Sequence, residues 1–322
     1  MNRSLLNKSI IEGRLLLLSC MAAMYSFCWA RVWVVSQFEM SRFKVIIEQF
    51  REYERFSPVP FEQLFTYGGR IALTYDEPIV VTCVTLWAIA RGSDCVSGEI
   101  GRGTMEMLLG QPISRVKVLW SQAAVTIAGI ALLALTSWLG IYTGIMTISV
   151  REPAPPETWS IPWLDIELPN PLAEEKTQLT PMSEKVNAEI FVPAAVNLFA
   201  LGFFLAGLTS FFSSLDRYRW RSIGLVVGIY IFQVIIKVLA LATDRFHWLL
   251  NCTFFTAFEP ERFVSIAANT PEYTWSLVLR DETGHFADLG PLGYDLILIG
   301  MGLIAYAGAT IIFRRRDLPA PL

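Results

Sequence analysis

Charged residues set inside apolar runs are where this chain could do chemistry. Arg31, Lys237 and Asp295 each stand among aliphatic and aromatic neighbours, and Asp76 with Glu77 forms an adjacent acid pair beside another run. An ionisable group in such a setting marks a cavity, a partner or a pathway, unless its stem carries it to water. Arg31 and Asp295 fall toward the ends of their runs, where snorkelling to the headgroups accounts for them. Lys237 sits deeper and is the candidate for an intramembrane polar site. Asp76 and Glu77 read as an interfacial, solvated pair rather than a catalytic one. The two histidines, His247 and His285, stand far apart. No HExxH, GxSxG or GxxxxGK[ST] pattern occurs, so nothing favours a zinc site, a serine hydrolase or ATP held in a phosphate loop. Cys20, Cys28, Cys83, Cys95 and Cys252 lack metal-ligand spacing and read as small hydrophobes. A polytopic membrane enzyme is the weakest of the function classes that remain.

A second cluster of chemistry lies in "SGEIGRGTMEMLLGQPISR", residues 97 to 115, a polar stretch between two apolar ones. Gly101 and Gly103 flank Arg102 and permit a sharp turn. Thr104 is placed to cap a helix, accepting a bond from a first-turn amide, and Glu106 falls where the helix dipole favours an acid. Met105, Leu108 and Leu109 make a short apolar face, and Gly110 with Pro112 stops the helix. Ser114 can cap the helix that follows. Such an element either shields a corner or docks a partner, and its residues alone leave both open.

The elements around these residues are apolar helices. The chain has 322 residues, 53% hydrophobic and 17% charged, with a mean hydropathy of +0.46. Soluble domains carry about 25% charged residues. A bilayer-spanning helix needs about 20 mostly apolar residues. Spans are expected at about 15–36, 71–90, 118–150, 190–212, 222–243 and 292–313, the second being the least apolar because of Asp76, Glu77 and Pro78. The first run is expected to be a span rather than the alternative, a signal peptide, because "NKSIIEGR" ahead of Leu15 supplies no apolar core. The net charge of -3 gives no footing for nucleic acid.

Six spans put both termini on one side. The N-terminus, 91–117, 213–221 and 314–322 together hold 13 Lys or Arg against 6 acids, whereas 37–70, 151–189 and 244–291 hold 11 against 20. The first set is therefore cytoplasmic. Among the outer loops, the prolines of 151–171 favour extended structure over helix, with Trp159 and Trp163 suited to the interface. In 37–70, Phe38, Phe43, Ile46, Ile47, Phe50 and Tyr53 fall at helical spacing, fitting a helix on the membrane or one packed on neighbouring loops. Gly140/Gly144 and Gly224/Gly228 are GxxxG pairs that permit close helix approach, within one subunit or between two.

The run from Glu99 to Arg115 resembles the signature of type-2, exporter-type ABC transporter permeases. In that family a glutamate, Gly-Thr, a second glutamate, a Leu-Leu pair and Pro-x-x-Arg recur between the second and third spans. Here the positions are Glu99, Gly103, Thr104, Glu106, Leu108, Leu109, Pro112 and Arg115. "FRRRDLP" from Phe313 resembles the family's exit from its sixth span, and "NKSIIEGRLLLL" its N-terminal cytoplasmic helix. The outer loops are longer and more polar than in the family's minimal members.

The resemblance implies an all-α polytopic membrane protein: one transmembrane permease domain over 1–322, six helices, amphipathic N-terminal and coupling helices, and polar outer loops. It implies that 99–113 is a coupling helix seated on a separate ABC ATPase subunit, with Met107, Leu108 and Leu109 as apolar anchors and Arg102, Glu106 and Arg115 as rim charges. This chain would then hold no cofactor and perform no hydrolysis, ATP and magnesium belonging to the partner. Other implied partners are a second permease, identical or not, and membrane lipid, in a bacterial cytoplasmic membrane. Export of an unidentified cargo is one expected function. Mechanical transmission to outer-face proteins is the other.

Overall fold

The computed structural model of the chain describes residues 3–37, 65–110, 113–153, 158–161, 166–169, 177–280 and 285–316. Six helices in it are long and apolar enough to cross a membrane: Arg3–Gln37, Tyr67–Gly101, Arg115–Thr147, Ala188–Leu215, Arg219–Ala242 and Pro291–Arg315. The chain is an all-α polytopic membrane protein. Its shortest span has 24 residues, or about 36 Å of helix, enough for a hydrocarbon core of about 30 Å.

The first span is α1 (Arg3–Gln37). The second is segmented into α2 (Tyr67–Ala72), a tight turn through Asp76, and α3 (Pro78–Ser93). Pro78 stands in the first turn of α3, where its missing N–H costs nothing. After a wider turn the chain forms the short α4 (Thr104–Leu109), then α5 (Arg115–Thr147). The remaining spans are α6 (Val192–Leu215), α7 (Arg219–Ala242) and, after the shorter helix α8 (Pro260–Asn269), α9 (Pro291–Arg315).

Helix α6 is the centre of the bundle, with α9, α3 and α5 packed round it. Leu198, Leu201 and Leu205 of α6 are fully buried, as are Val84 of α3, Ile130 of α5 and Leu298 of α9. Helix α1 packs along α5, and the glycines of α5 set their separation. A Cβ on Gly140 would stand 2.8 Å from Cys28 Cβ, and one on Gly144 2.8 Å from Val32 Cβ. That GxxxG pair therefore works inside the subunit. A Cβ on Gly224 or Gly228 of α7 would meet nothing within 4 Å among the described residues. Helix α7 buries only Ser222, Val226 and Ala240, while Leu225, Ile231, Phe232 and Val238 are exposed.

The described residues of the proline-rich segment after α5 form antiparallel ladders. Strand β1 (Ser149–Pro153) pairs with β4 (Thr177–Pro181), and β2 (Thr158–Ile161) with β3 (Ile166–Pro169). A third ladder joins β5 (Val278–Arg280) to β6 (Phe286–Leu289) just before α9. Trp159 lies on β2 opposite Leu168. Trp163 and residues 38–64, with the amphipathic pattern from Phe38 to Tyr53, lie outside the described residues.

One expectation is corrected here. Asp295 does not reach the headgroups. It is 1% exposed and accepts a hydrogen bond from Asn197 Nδ2 at 2.7 Å. A short side chain on the face of α9 that meets α6 finds a partner sooner than water. Of the acid pair, Glu77 keeps about a third of its side chain exposed and lies 3.3 Å from Arg31, while Asp76 faces a cleft bordered by Glu259 and Glu261 at the start of α8.

Candidate functional site

The corner between α3 and α5 is built round two carboxylates. Below Ser93 the helix widens into a π turn over Asp94–Gly98, a bulge that leaves amides without their usual carbonyls. Ser213 of α6 accepts from Val96 N at 3.2 Å and from Ser97 N at 2.9 Å, and donates to Ser93 O at 3.0 Å. The widened turn swings Asp94 and Glu99 into the bundle.

Glu99 is fully buried. Its oxygens accept from Lys8 Nζ at 2.9 and 2.8 Å, Arg102 Nη2 at 3.2 Å and Gln122 Nε2 at 3.1 Å, and from the Thr104 hydroxyl. Asp94 accepts from Arg102 Nη1 at 2.9 Å and lies 3.2 Å from Arg219 and 3.5 Å from Arg91. Arg91 donates in turn to Ser9 O at 3.1 Å, and Arg219 to Ser93 Oγ and Ala90 O, both at 3.2 Å. A buried carboxylate left without partners costs several kcal/mol, roughly, so this closure is what allows the acids to be there. Burial works against the Arg102 charge, but Asp94 and then Glu99 outweigh it and hold its pKa above the ordinary value.

Helix α4 is tied to the same corner. Gly103 holds φ at 71°, the left-handed conformation that turns the chain. The Thr104 hydroxyl, expected to accept a bond from a helix amide, instead donates to Glu99, including its main-chain oxygen at 3.2 Å. Met105 is 2% exposed and packs with Cys95, Val96, Leu119, Ala309 and Phe313, drawing α3, α5 and α9 together. Arg115 donates to the carbonyls of Phe313 and Arg316, and Arg316 to Ser214 O at 2.9 Å and Asp216 O at 3.0 Å. Ser114 caps α5 by accepting from Lys117 N at 3.4 Å.

Side chains from all six spans meet at or beside this corner. Of the residues singled out in the sequence, Glu99, Arg102, Gly103, Thr104 and Arg115 come together there. Arg102 and Arg115, expected as rim charges, are also bonded within the chain, Arg102 to Asp94 and Glu99 and Arg115 to the carbonyls at the end of α9. Met107 is 75% exposed and Leu108 half-buried, so the outward face of α4 is apolar. The side chains of Glu106 and Leu109, and Pro112, lie outside the described residues. Lys8, Asp94, Gln122, Ser213 and Arg219 were missed. The one available signal was that acids and bases recur at several span ends on the same side.

Lys237 is elsewhere, at the other end of the bundle. Its ammonium donates to Phe255 O at 3.3 Å, and it borders a cavity shared with Asp76 and Glu261.

Six membrane-crossing helices with a short helix held at one corner of the bundle define a polytopic membrane protein. The family model for ABC-2 family transporter proteins matches residues 31–318, and the chain belongs to that family. It is a membrane permease subunit, distinct from the ATPase subunit of such a transporter. A search of curated proteins gives no match.

Proposed function

We propose that this permease exports its cargo, driven by a separate ABC ATPase that docks on α4 from the cytoplasm. The carrying observation is the buried Glu99. Lys8, Arg102, Thr104 and Gln122 all donate to this single carboxylate, so displacement of α4 is delivered to α1, α3 and α5 together. Met107 and Leu108 supply the apolar contact, and hydrolysis with its ATP and magnesium resides on the partner. The excess of basic residues on the N-terminus, 91–117, 213–221 and 314–322 supports a cytoplasmic corner and cytoplasmic termini. A partner can drive the spans only by binding one of their arrangements better than another. Two permeases with two ATPases make the working assembly, the second permease seated on the exposed face of α7 that carries Gly224 and Gly228.

A second reading, transmission of ATP-driven motion to outer-face proteins, is favoured by one observation. Helix α5 runs almost directly into β1, whose partner strand β4 is tied back by Met182 N to Ile148 O at 3.0 Å. Movement of α5 would reach the outer ladder without an intervening flexible joint.

The test of the ATPase reading is co-purification. Met107→Asp with Leu108→Asp leaves the buried network untouched, and the chain should still insert and elute as folded protein. The expected result is loss of a co-eluting phosphate-loop ATPase. Retention at wild-type yield would sink the docking assignment.

A further inference from the structure

At the end of the bundle away from α4, a cleft of about 600 Å³ opens between the start of α3, the second half of α7 and the N-terminus of α8. Its chemistry is divided. One end carries Asp76, Lys237 and Glu261, and the walls are Val81, Val234, Val238, Leu241, Phe255 and Phe258. This is the form of a site for a molecule with one polar head and an apolar body.

The head group can be identified from the charges. Glu261 is 2% exposed, and no N–H or hydroxyl of the described residues reaches its Oε2. Its carboxyl shares the cleft with that of Asp76, and two neighbouring buried carboxyls favour one proton between them. Burial first, then the Asp76 charge, push the Glu261 pKa well above the carboxylate range, so Glu261 holds the proton. The other charged groups nearby are already matched: Glu77 by Arg31 at 3.3 Å, Glu259 by Arg262 at 3.1 Å. Lys237 spends one donor on Phe255 O, and Tyr230 completes the polar rim. Two carboxyls face one ammonium, and an anion entering the cleft would meet the acids.

We propose that this cleft binds an amphipathic amine, its ammonium between Asp76 and Glu261 and its apolar body along α7 and the Phe255–Phe258 wall. The incoming cation takes the place of the shared proton, which leaves Glu261 for bulk water, so the net charge of the site is unchanged on binding. An alkylammonium keeps its own proton, with a pKa near 10.4, roughly. The amine is either a free lipophilic molecule or the headgroup of an aminophospholipid. The inference concerns binding to this chain alone and stands apart from the ATPase reading.

The full chain in phosphatidylcholine nanodiscs, titrated with dansylcadaverine and followed by fluorescence polarisation against empty nanodiscs, provides the test. Saturable binding is expected for this amine and not for its N-acetylated neutral form or for dansylglycine. Affinity should rise with pH, by up to about tenfold per unit while Glu261 holds its proton. Glu261→Gln imitates the protonated carboxyl. It should weaken binding by about tenfold or more and abolish the pH dependence. Lys237→Met removes the competing cation and should tighten binding, a gain that no misfolded variant delivers. Competition by added phosphatidylethanolamine would assign the site to a lipid headgroup, and absence of competition to a free amine. Equal binding of the neutral form, affinity unchanged in Glu261→Gln, or no saturable binding would each overturn the proposal. None of these results would bear on ATPase docking.

Discussion

Lys8 and Glu99, 91 residues apart in sequence, meet with the ammonium nitrogen 2.9 and 2.8 Å from the two carboxylate oxygens. The contact ties the start of the first span to the corner ahead of α4. It makes the N-terminal turns of α1 part of that corner. Glu99 is fully buried whereas Lys8 keeps about a third of its side chain in solvent, so the acid depends on the pair more than the base does.

That asymmetry gives the first prediction. Glu99→Ala takes the shared acceptor from Lys8, Gln122 and Arg102, though Arg102 keeps Asp94, and should cost about 1–3 kcal/mol. Lys8→Met should cost less, because Arg102 still neutralises the acid. Thermal unfolding of the detergent-purified chain, followed through a fused fluorescent reporter, ranks the two. Equal losses would mean that Lys8 alone carries the carboxylate.

Removing the Ser213 hydroxyl tests the widened turn. Ser213→Ala deprives Val96 N and Ser97 N of their acceptor, a penalty of about 1–3 kcal/mol for each unsatisfied buried amide. Hydrogen exchange at residues 94–98 should accelerate while that in the middle of α6 does not. Uniform acceleration across α6 would show that the serine stabilises the helix and not the turn.

The two GxxxG pairs should separate cleanly. Gly140→Leu drives a side chain into Cys28 and Tyr25, and folded yield should collapse. Gly224→Leu with Gly228→Leu meets no atom within 4 Å, so the chain should fold normally and lose only self-association. Cysteine cross-linking along α7 in membranes reads the second outcome. Unchanged cross-linking in the double variant would remove α7 from the subunit interface.

Acid should loosen the outer region through Asp288. This side chain is bonded by Arg262 and by the Tyr294 hydroxyl at 2.9 Å. Burial tends to raise its pKa, but the bonds from Arg262, its own strand's amide and Tyr294 outweigh burial and hold it below the ordinary value. A depressed pKa contributes stability that is complete above the unfolded value, about 3.9, and is lost as pH falls through the folded one. Hydrogen exchange over β6 should therefore quicken only below about pH 4. Asp288→Asn should be fast at every pH, and an acid response that persists in this variant would point to another group.

The helices and their membrane character were legible in the sequence because they rest on local composition. A run of about 20 apolar residues satisfies its backbone internally whatever its neighbours do. The motif from Glu99 to Arg115 was legible for a similar reason, being contiguous, and it pointed to the family. Its roles were not. Arg102 and Arg115 read as surface charges, and only the fold shows their bonds to Asp94, Glu99 and the carbonyls at the end of α9. Asp295 read as interfacial until α6 presented Asn197. The GxxxG pairs are identical as patterns, and only packing shows that one is filled by α1 and the other is open. The cleft joining Asp76, Lys237 and Glu261 draws on three segments far apart in the chain. Burial and pairing of charge depend on which distant helix arrives at each face, and only the tertiary structure decides that.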